Sequence, residues 1–219
     1  MTPTSYYSGN DTEFDINDIP TNAVVVIFTS CQGTWPTKGL GAFLQQYFPA
    51  AYEQYRTHCS QYLDDNGLLT NALVGSCHLI HPQPNDYLNS GVPFIYIACL
   101  FSSTGDSHRN WLGKKKGRDR KAKVLAQTDS AFAQLKEILT GNGLHTAAAA
   151  ASHSAGERNA YGIVPTTYTY QTASGGNTKV FVGQENGKSF QLERKDVKEL
   201  IGKHFQGWVG VFRTLKKRT

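Results

Sequence analysis

Two short clusters of small and polar residues hold the side chains with chemistry to offer. The first contains Ser30, Cys31, Gly33, Trp35, Lys38, Gly39, Leu40 and Gly41, and follows an apolar, β-branched run from 23 to 28. The second contains Ser102, Ser103, Asp106 and His108, and follows a second apolar run from 93 to 101. Glycine lets a backbone come close to an anion, and a helix N-terminus offers unpaired N–H groups with partial positive charge. The first cluster therefore reads either as a phosphate cradle or as a plain strand-to-helix connection. Hydrolysis at such a site needs an activated water. Asp106 and His108 are titratable and lie just past a strand end, so each is a candidate base; the other reading is of two solvated loop residues. Cys31 reads as a nucleophile activated by a helix N-terminus or as a buried packing thiol.

The elements that must position these residues follow from hydrophobic period. Ala23 to Phe28 is nearly continuous in apolar residues, the pattern of an interior strand covered on both faces. Leu40, Phe43, Leu44, Tyr47 and Phe48 recur at helical spacing, which predicts a helix over about 39–48 ending at Pro49. A second helix is expected from about 50 to 63, with Tyr52, Tyr55 and Tyr62 packing. Strands are expected over 72–80 and 93–101, separated by a Pro- and Asn-rich loop at 82–92. Helices over about 122–140 and 193–205, with strands at 4–7, 161–170, 178–182 and 208–212, complete the pattern. Alternating β and α elements imply an α/β fold: a three-layer α/β/α sandwich around a central mixed, mostly parallel sheet. Ligands of such sheets sit outside the strand C-termini, where both clusters fall.

Neither G-x-x-x-x-G-K-[ST] nor G-x-G-x-x-G is present, which disfavours a P-loop NTPase and an ordinary Rossmann dehydrogenase. A chain of 219 residues, 39% hydrophobic and 18% charged, suits one domain with a real core over 1–219. The net charge is +5. Much of the excess lies in a basic loop at 113–123 and in the tail at 215–219, either solvated surface or an attraction for nucleic acid and acidic partners. Residues 141–160 are alanine-rich and low in complexity, as expected of a mobile insertion. Cys31, Cys59, Cys77 and Cys99 form no C-x-x-C pair, and His58, His78, His81, His145, His153 and His204 are scattered, so neither a metal nor any cofactor is assigned. No signal peptide or apolar span is evident, so a soluble protein of the cytoplasm or nucleus, without a membrane partner, is expected.

Several motifs together resemble the macrodomain family, most closely its yeast-type ADP-ribose-1″-phosphate phosphatase branch. Ser30-Cys31-Gln32-Gly33-Thr34-Trp35 partly matches S-C-N-x-x-G-x-W. Gly39-Leu40-Gly41-Ala42 is similar to the end of the loop that holds the distal ribose and diphosphate. Tyr47-Phe48-Pro49-Ala50-Ala51-Tyr52 is similar to the Y-P-x-A motif, and Cys99-Leu100-Phe101-Ser102-Ser103 to C-L-F-T-S. Tyr6-Tyr7-Ser8-Gly9-Asn10 looks like the opening strand and turn, so the resemblance implies an adenine contact near Gly9, Asn10 and Asp11. Tyr7, Ile95 and Ile97 are candidates for its apolar wall. Asn186, Gly187, Lys188, Ser189 and Phe190 look like a worn second diphosphate loop, and Phe190 and Trp35 read either as ribose walls or as packing residues. The likeness spans roughly 4–140 and 186–215.

The departures matter as much as the matches. The branch's histidine ahead of the loop falls at Ile27 or Phe28, its asparagine near Ser30, and its triple glycine at Thr37-Lys38-Gly39. A side chain in these loops narrows the backbone's approach to a diphosphate, which Lys38 and Lys188 would offset with ammonium groups. The resemblance thus implies a protein that binds ADP-ribose or ADP-ribose-1″-phosphate, with any phosphatase or ADP-ribosyl-conjugate hydrolase activity weakened by loss of the histidine. ADP-ribosylated protein is a further partner it implies. The rival expectation is a non-catalytic basic module binding nucleic acid or acidic partners through 113–123 and 215–219.

Overall fold

A computed structural model describes residues 23–31, 33–37, 39–65, 70–87, 92–104, 119–140, 180–182 and 192–205, with residues 19 and 21. Its elements run β1 (Val24–Ser30), α1 (Gly39–Tyr47), α2 (Pro49–Ser60), β2 (Cys77–Ile80), α3 (Pro84–Tyr87), β3 (Tyr96–Ser103), α4 (Lys121–Leu139), β4 (Val180–Val182) and α5 (Arg194–His204). The strands form one mixed sheet in the order β2-β3-β1-β4. β1 pairs in parallel with both β3 and β4, while β2 runs antiparallel along β3.

The strand pleat splits the core in two. Val25 and Ile27 of β1, Ile97, Cys99 and Phe101 of β3 and Phe181 of β4 face one layer, with Leu40 and Leu44 of α1 and Ala51, Tyr55 and Cys59 of α2. Val24, Val26 and Phe28, with Tyr96, Ala98, Leu100, Val180 and Val182, face the other, against Phe132 and Leu135 of α4 and Leu200 and Ile201 of α5. Successive residues of a strand point to opposite faces, so a strand covered on both sides must be apolar at every position. That is why the two longest apolar runs are the two central strands. The three-layer α/β/α arrangement expected from the sequence is the one observed.

The differences lie at boundaries. The strand expected over 72–80 is only Cys77–Ile80, because residues 72–75 are turn and Gly75 takes φ 80°. The expected loop at 82–92 contains α3, and α2 ends at Ser60 rather than near 63. The strands expected at 4–7, 161–170 and 208–212, the insertion at 141–160 and most of the basic loop lie outside the described residues. Ile95 and Ile97, offered as an adenine wall, are each 1% exposed and belong to the packed core.

The short α3 has a definite task. α2 begins at Pro49 after Phe48, which has no side chain able to cap the helix. The carboxylate of Asp86, 2% exposed, does so from a distance in sequence: Oδ1 accepts from the Ala50 N–H at 2.8 Å and Oδ2 from the Ala51 N–H at 3.1 Å. Pro49 has no N–H and the Phe48 N–H is already bonded to the Leu44 carbonyl at 2.8 Å, so Asp86 satisfies the two N–H groups that the first turn leaves unpaired. Burial raises the Asp86 carboxyl pKa, opposed by those two backbone bonds. Replacing Asp86 with Ala leaves two amides unpartnered and is expected to cost about 1–3 kcal/mol in urea unfolding, with Asp86→Asn costing less.

Candidate functional site

The ends of β1 and β3 bring the two polar clusters side by side. Their parallel register runs from Val24 opposite Tyr96 to Thr29 opposite Phe101, then shifts, so that Ser30 lies opposite Ser103. The Cys31 N–H donates to the Ser103 carbonyl at 3.0 Å, closing the ladder. The Thr29 hydroxyl donates to the Leu100 carbonyl at 3.2 Å, and that of Ser102 reaches the same oxygen at 3.4 Å. Ser102 is fully buried, so its hydroxyl serves the strand end from within.

The loop after β1 is held from beneath by aromatic rings. Trp35 is 1% exposed and packs on Tyr52 at 5.1 Å and Tyr55 at 5.7 Å between ring centroids. Its indole Nε1 has no oxygen or nitrogen acceptor and faces the Cys99 thiol. Tyr55 stacks on Phe101 at 5.9 Å and donates its hydroxyl to the Ser30 carbonyl at 3.2 Å. α2 is thus fastened to the ends of both central strands. Trp35 and Leu40, candidates for ligand contact, are core residues here.

The glycines have separate duties. Gly33 and Gly39 adopt φ 72° and 61°, a left-handed backbone that costs other residues roughly 1–2 kcal/mol. A Cβ on Gly41 would stand 2.4 Å from the Pro36 carbonyl oxygen, so the contact that demands glycine there is the loop's own fold. What the loop turns outward is Ser30 and Gly33, both partly exposed, and Thr34, Thr37 and Gly39, which are exposed. Neither threonine stands out in the sequence as a ligand contact: Thr34 between Gly33 and Trp35 looks like turn filler, and Thr37 stands where the resemblance expects a glycine.

Electrostatics argue against a cysteine nucleophile. Burial, with smaller contributions from Cys59 and Asp119, pushes the Cys31 thiol up to about 12. It stays protonated at neutral pH, and the expectation of an activated thiolate gives way to that of a packing thiol. All four cysteines are buried and free. At the far side of the strand end sits Asp119, which does not stand out amid the basic run. Its Oδ2 accepts from the Thr104 N–H at 2.9 Å, the Thr104 hydroxyl at 2.8 Å and the Ser103 hydroxyl at 3.4 Å, while Oδ1 pairs with Lys123 at 2.8 Å. Gly9, Asn10, Asp11, Lys38, Asp106, His108, Asn186, Gly187, Lys188, Ser189 and Phe190 lie outside the described residues.

No family model matches the chain. It is 34% identical over 85 residues to an ADP-ribose 1″-phosphate phosphatase of Ajellomyces capsulatus, covering 33% of each chain. It is 31% identical over 112 residues to one of Aspergillus clavatus, covering 43% of this chain and 55% of the relative. The chain thus spans between a third and just over half of these curated relatives. Among solved structures it is similar to the macrodomain of Mycobacterium tuberculosis DarG, with a TM-score of 0.50 and 15% identity over 94% of this chain and 96% of that one. The fold is a macrodomain fold.

Within this macrodomain fold, Ile27 and Phe28 stand where the resemblance places the branch's histidine. They are 2% and 8% exposed and pack into opposite core layers, so neither position holds a proton donor or acceptor. Two histidines that looked scattered in sequence do meet elsewhere. His58 of α2 and His78 of β2 stack at 3.7 Å with 3° between ring planes, with Tyr62 5.3 Å from His58. No group of three or more metal-ligating side chains occurs among the described residues.

Burial lowers the His58 and His81 pKa values; it lowers that of His78 to about 3, assisted by His58 and His81. An unfolded histidine titrates near 6.5, so between roughly 3 and 6.5 the unfolded chain binds more protons than the folded one. These groups make stability fall as pH drops below about 6.5, with their full contribution present above it. Urea midpoints are expected to decline from pH 7 to pH 5, and to decline less in His78→Phe, which keeps the ring stack but cannot take up a proton.

Proposed function

We propose that this protein binds ADP-ribose or ADP-ribose 1″-phosphate outside the C-terminal ends of β1 and β3. The observation that carries the reading is the joining of Ser30 and Cys31 to Ser103 at the strand ends, beside a loop whose outward face is glycine and threonine. Such a face recognises a sugar diphosphate through backbone N–H groups and hydroxyls rather than through fixed charges. The macrodomain fold supports this, as do the relatives named ADP-ribose 1″-phosphate phosphatase.

Binding is favoured over turnover. Among the described residues at the strand ends, the Cys31 thiol is held protonated and Asp119 is occupied by Thr104 and Lys123. Neither is poised to activate a water. Should hydrolysis occur, its base would come from Asp106 or His108 in our reading, and Asp106→Asn with His108→Ala would stop phosphate release while sparing affinity.

Titration calorimetry with ADP-ribose tests the binding directly. Selective binding over AMP is expected, and its absence would refute the reading. Gly39→Glu should abolish it by placing a carboxylate against the diphosphate. Gly39→Asn, which tolerates the left-handed backbone, should retain it and so separate charge from strain.

A further inference from the structure

We infer that Asp119 is a positioning residue that makes the end of β3 an acceptor for a ligand hydroxyl and selects against an anion there. The inference rests on the reading that the ligand lies beyond the ends of β1 and β3, and deepens it by assigning the chemistry of one contact.

An ionised carboxylate only accepts hydrogen bonds. At 2.8 Å from Asp119 Oδ2, the Thr104 hydroxyl must therefore spend its one proton on that oxygen, and the Thr104 N–H at 2.9 Å is spent on it too. What Thr104 retains for a ligand is its lone pairs. A hydroxyl fixed in this way accepts from a sugar O–H and cannot donate to a phosphate oxygen. The Asp119 side chain is only 8% exposed, and its charge is balanced by Lys123 at 2.8 Å. Burial alone would raise its pKa, but the bonds from Lys123 and Thr104 outweigh that and hold it below the usual carboxylate range. The proton arrangement is thus fixed at neutral pH.

The placement is consequential because Asp119 lies two residues before Lys121, the first residue of α4, while Thr104 immediately follows β3. One side chain ties the start of the helix to the end of the strand across the intervening segment. The Ser103 carbonyl, through its bond from the Cys31 N–H, passes that position on to the loop after β1.

The test compares ADP-ribose with ADP, which lacks the distal ribose, by titration calorimetry on the full chain. The wild-type protein should favour ADP-ribose. Thr104→Val, close in shape but without the acceptor, should weaken ADP-ribose by about tenfold, the equivalent of one good hydrogen bond, while leaving ADP unchanged. Asp119→Ala should lose the same selectivity, and Asp119→Asn, which keeps an amide oxygen for Thr104, should restore most of it. Circular dichroism confirms folding of each variant, and Thr104→Val decides the matter if Asp119→Ala does not fold. Selectivity unchanged in Thr104→Val would overturn the inference while leaving the binding reading intact. A wild-type protein that binds neither nucleotide would overturn both.

Discussion

Everything in this structure depends on the parallel pairing of β1 with β3 inside a core closed on both faces. A strand so placed has no water to pair with its amides, so its ladder must be complete, and every side chain must be one that gains from burial. Each fully buried large apolar side chain contributes about 1.5–3 kcal/mol. The strand ends are therefore where polar chemistry can begin. The register shift at Thr29/Ser30 and the Cys31 N–H bond to Ser103 mark that transition on both strands at once. The apposition of the two loops follows from the core.

Beneath that edge the protein has built a rigid floor rather than a reactive one. Tyr55, Trp35 and Phe101 pack as a continuous aromatic layer, and Tyr55 adds a hydrogen bond to the Ser30 carbonyl. Gly41 is committed to the Pro36 carbonyl and Cys31 to packing, which leaves Gly39 and the threonines to face outward. A site of this kind recognises shape and hydrogen-bonding pattern. Its lack of a poised base among the described residues is consistent with apolar Ile27 and Phe28 where a histidine would be expected.

The central strands and their flanking helices were legible in the sequence because each interaction is local or periodic: β-branched runs for β1 and β3, helical spacing for α1, α4 and α5. The family resemblance was legible for the same reason, since its motifs are contiguous. What could not be read were side chains acting across long separations. Asp86 caps a helix that begins 37 residues earlier, at Pro49, Asp119 closes a strand end from within a basic run, and His58 meets His78 only because α2 lies on β2. Trp35 is the instructive case: an aromatic in a glycine loop suits ligand stacking and core anchoring equally, and only its 1% exposure decides for the core.

The central claim is that the apposed ends of β1 and β3 receive the ligand. Amide chemical-shift mapping with ¹⁵N-labelled protein during an ADP-ribose titration tests it most directly. The account predicts that the largest shifts fall on Ser30, Cys31, Gly33, Gly39, Ser103 and Thr104. Shifts concentrated instead on the α4–α5 surface, where Lys203 pairs with Asp129 at 2.7 Å, or confined to the basic residues 113–118, would contradict it.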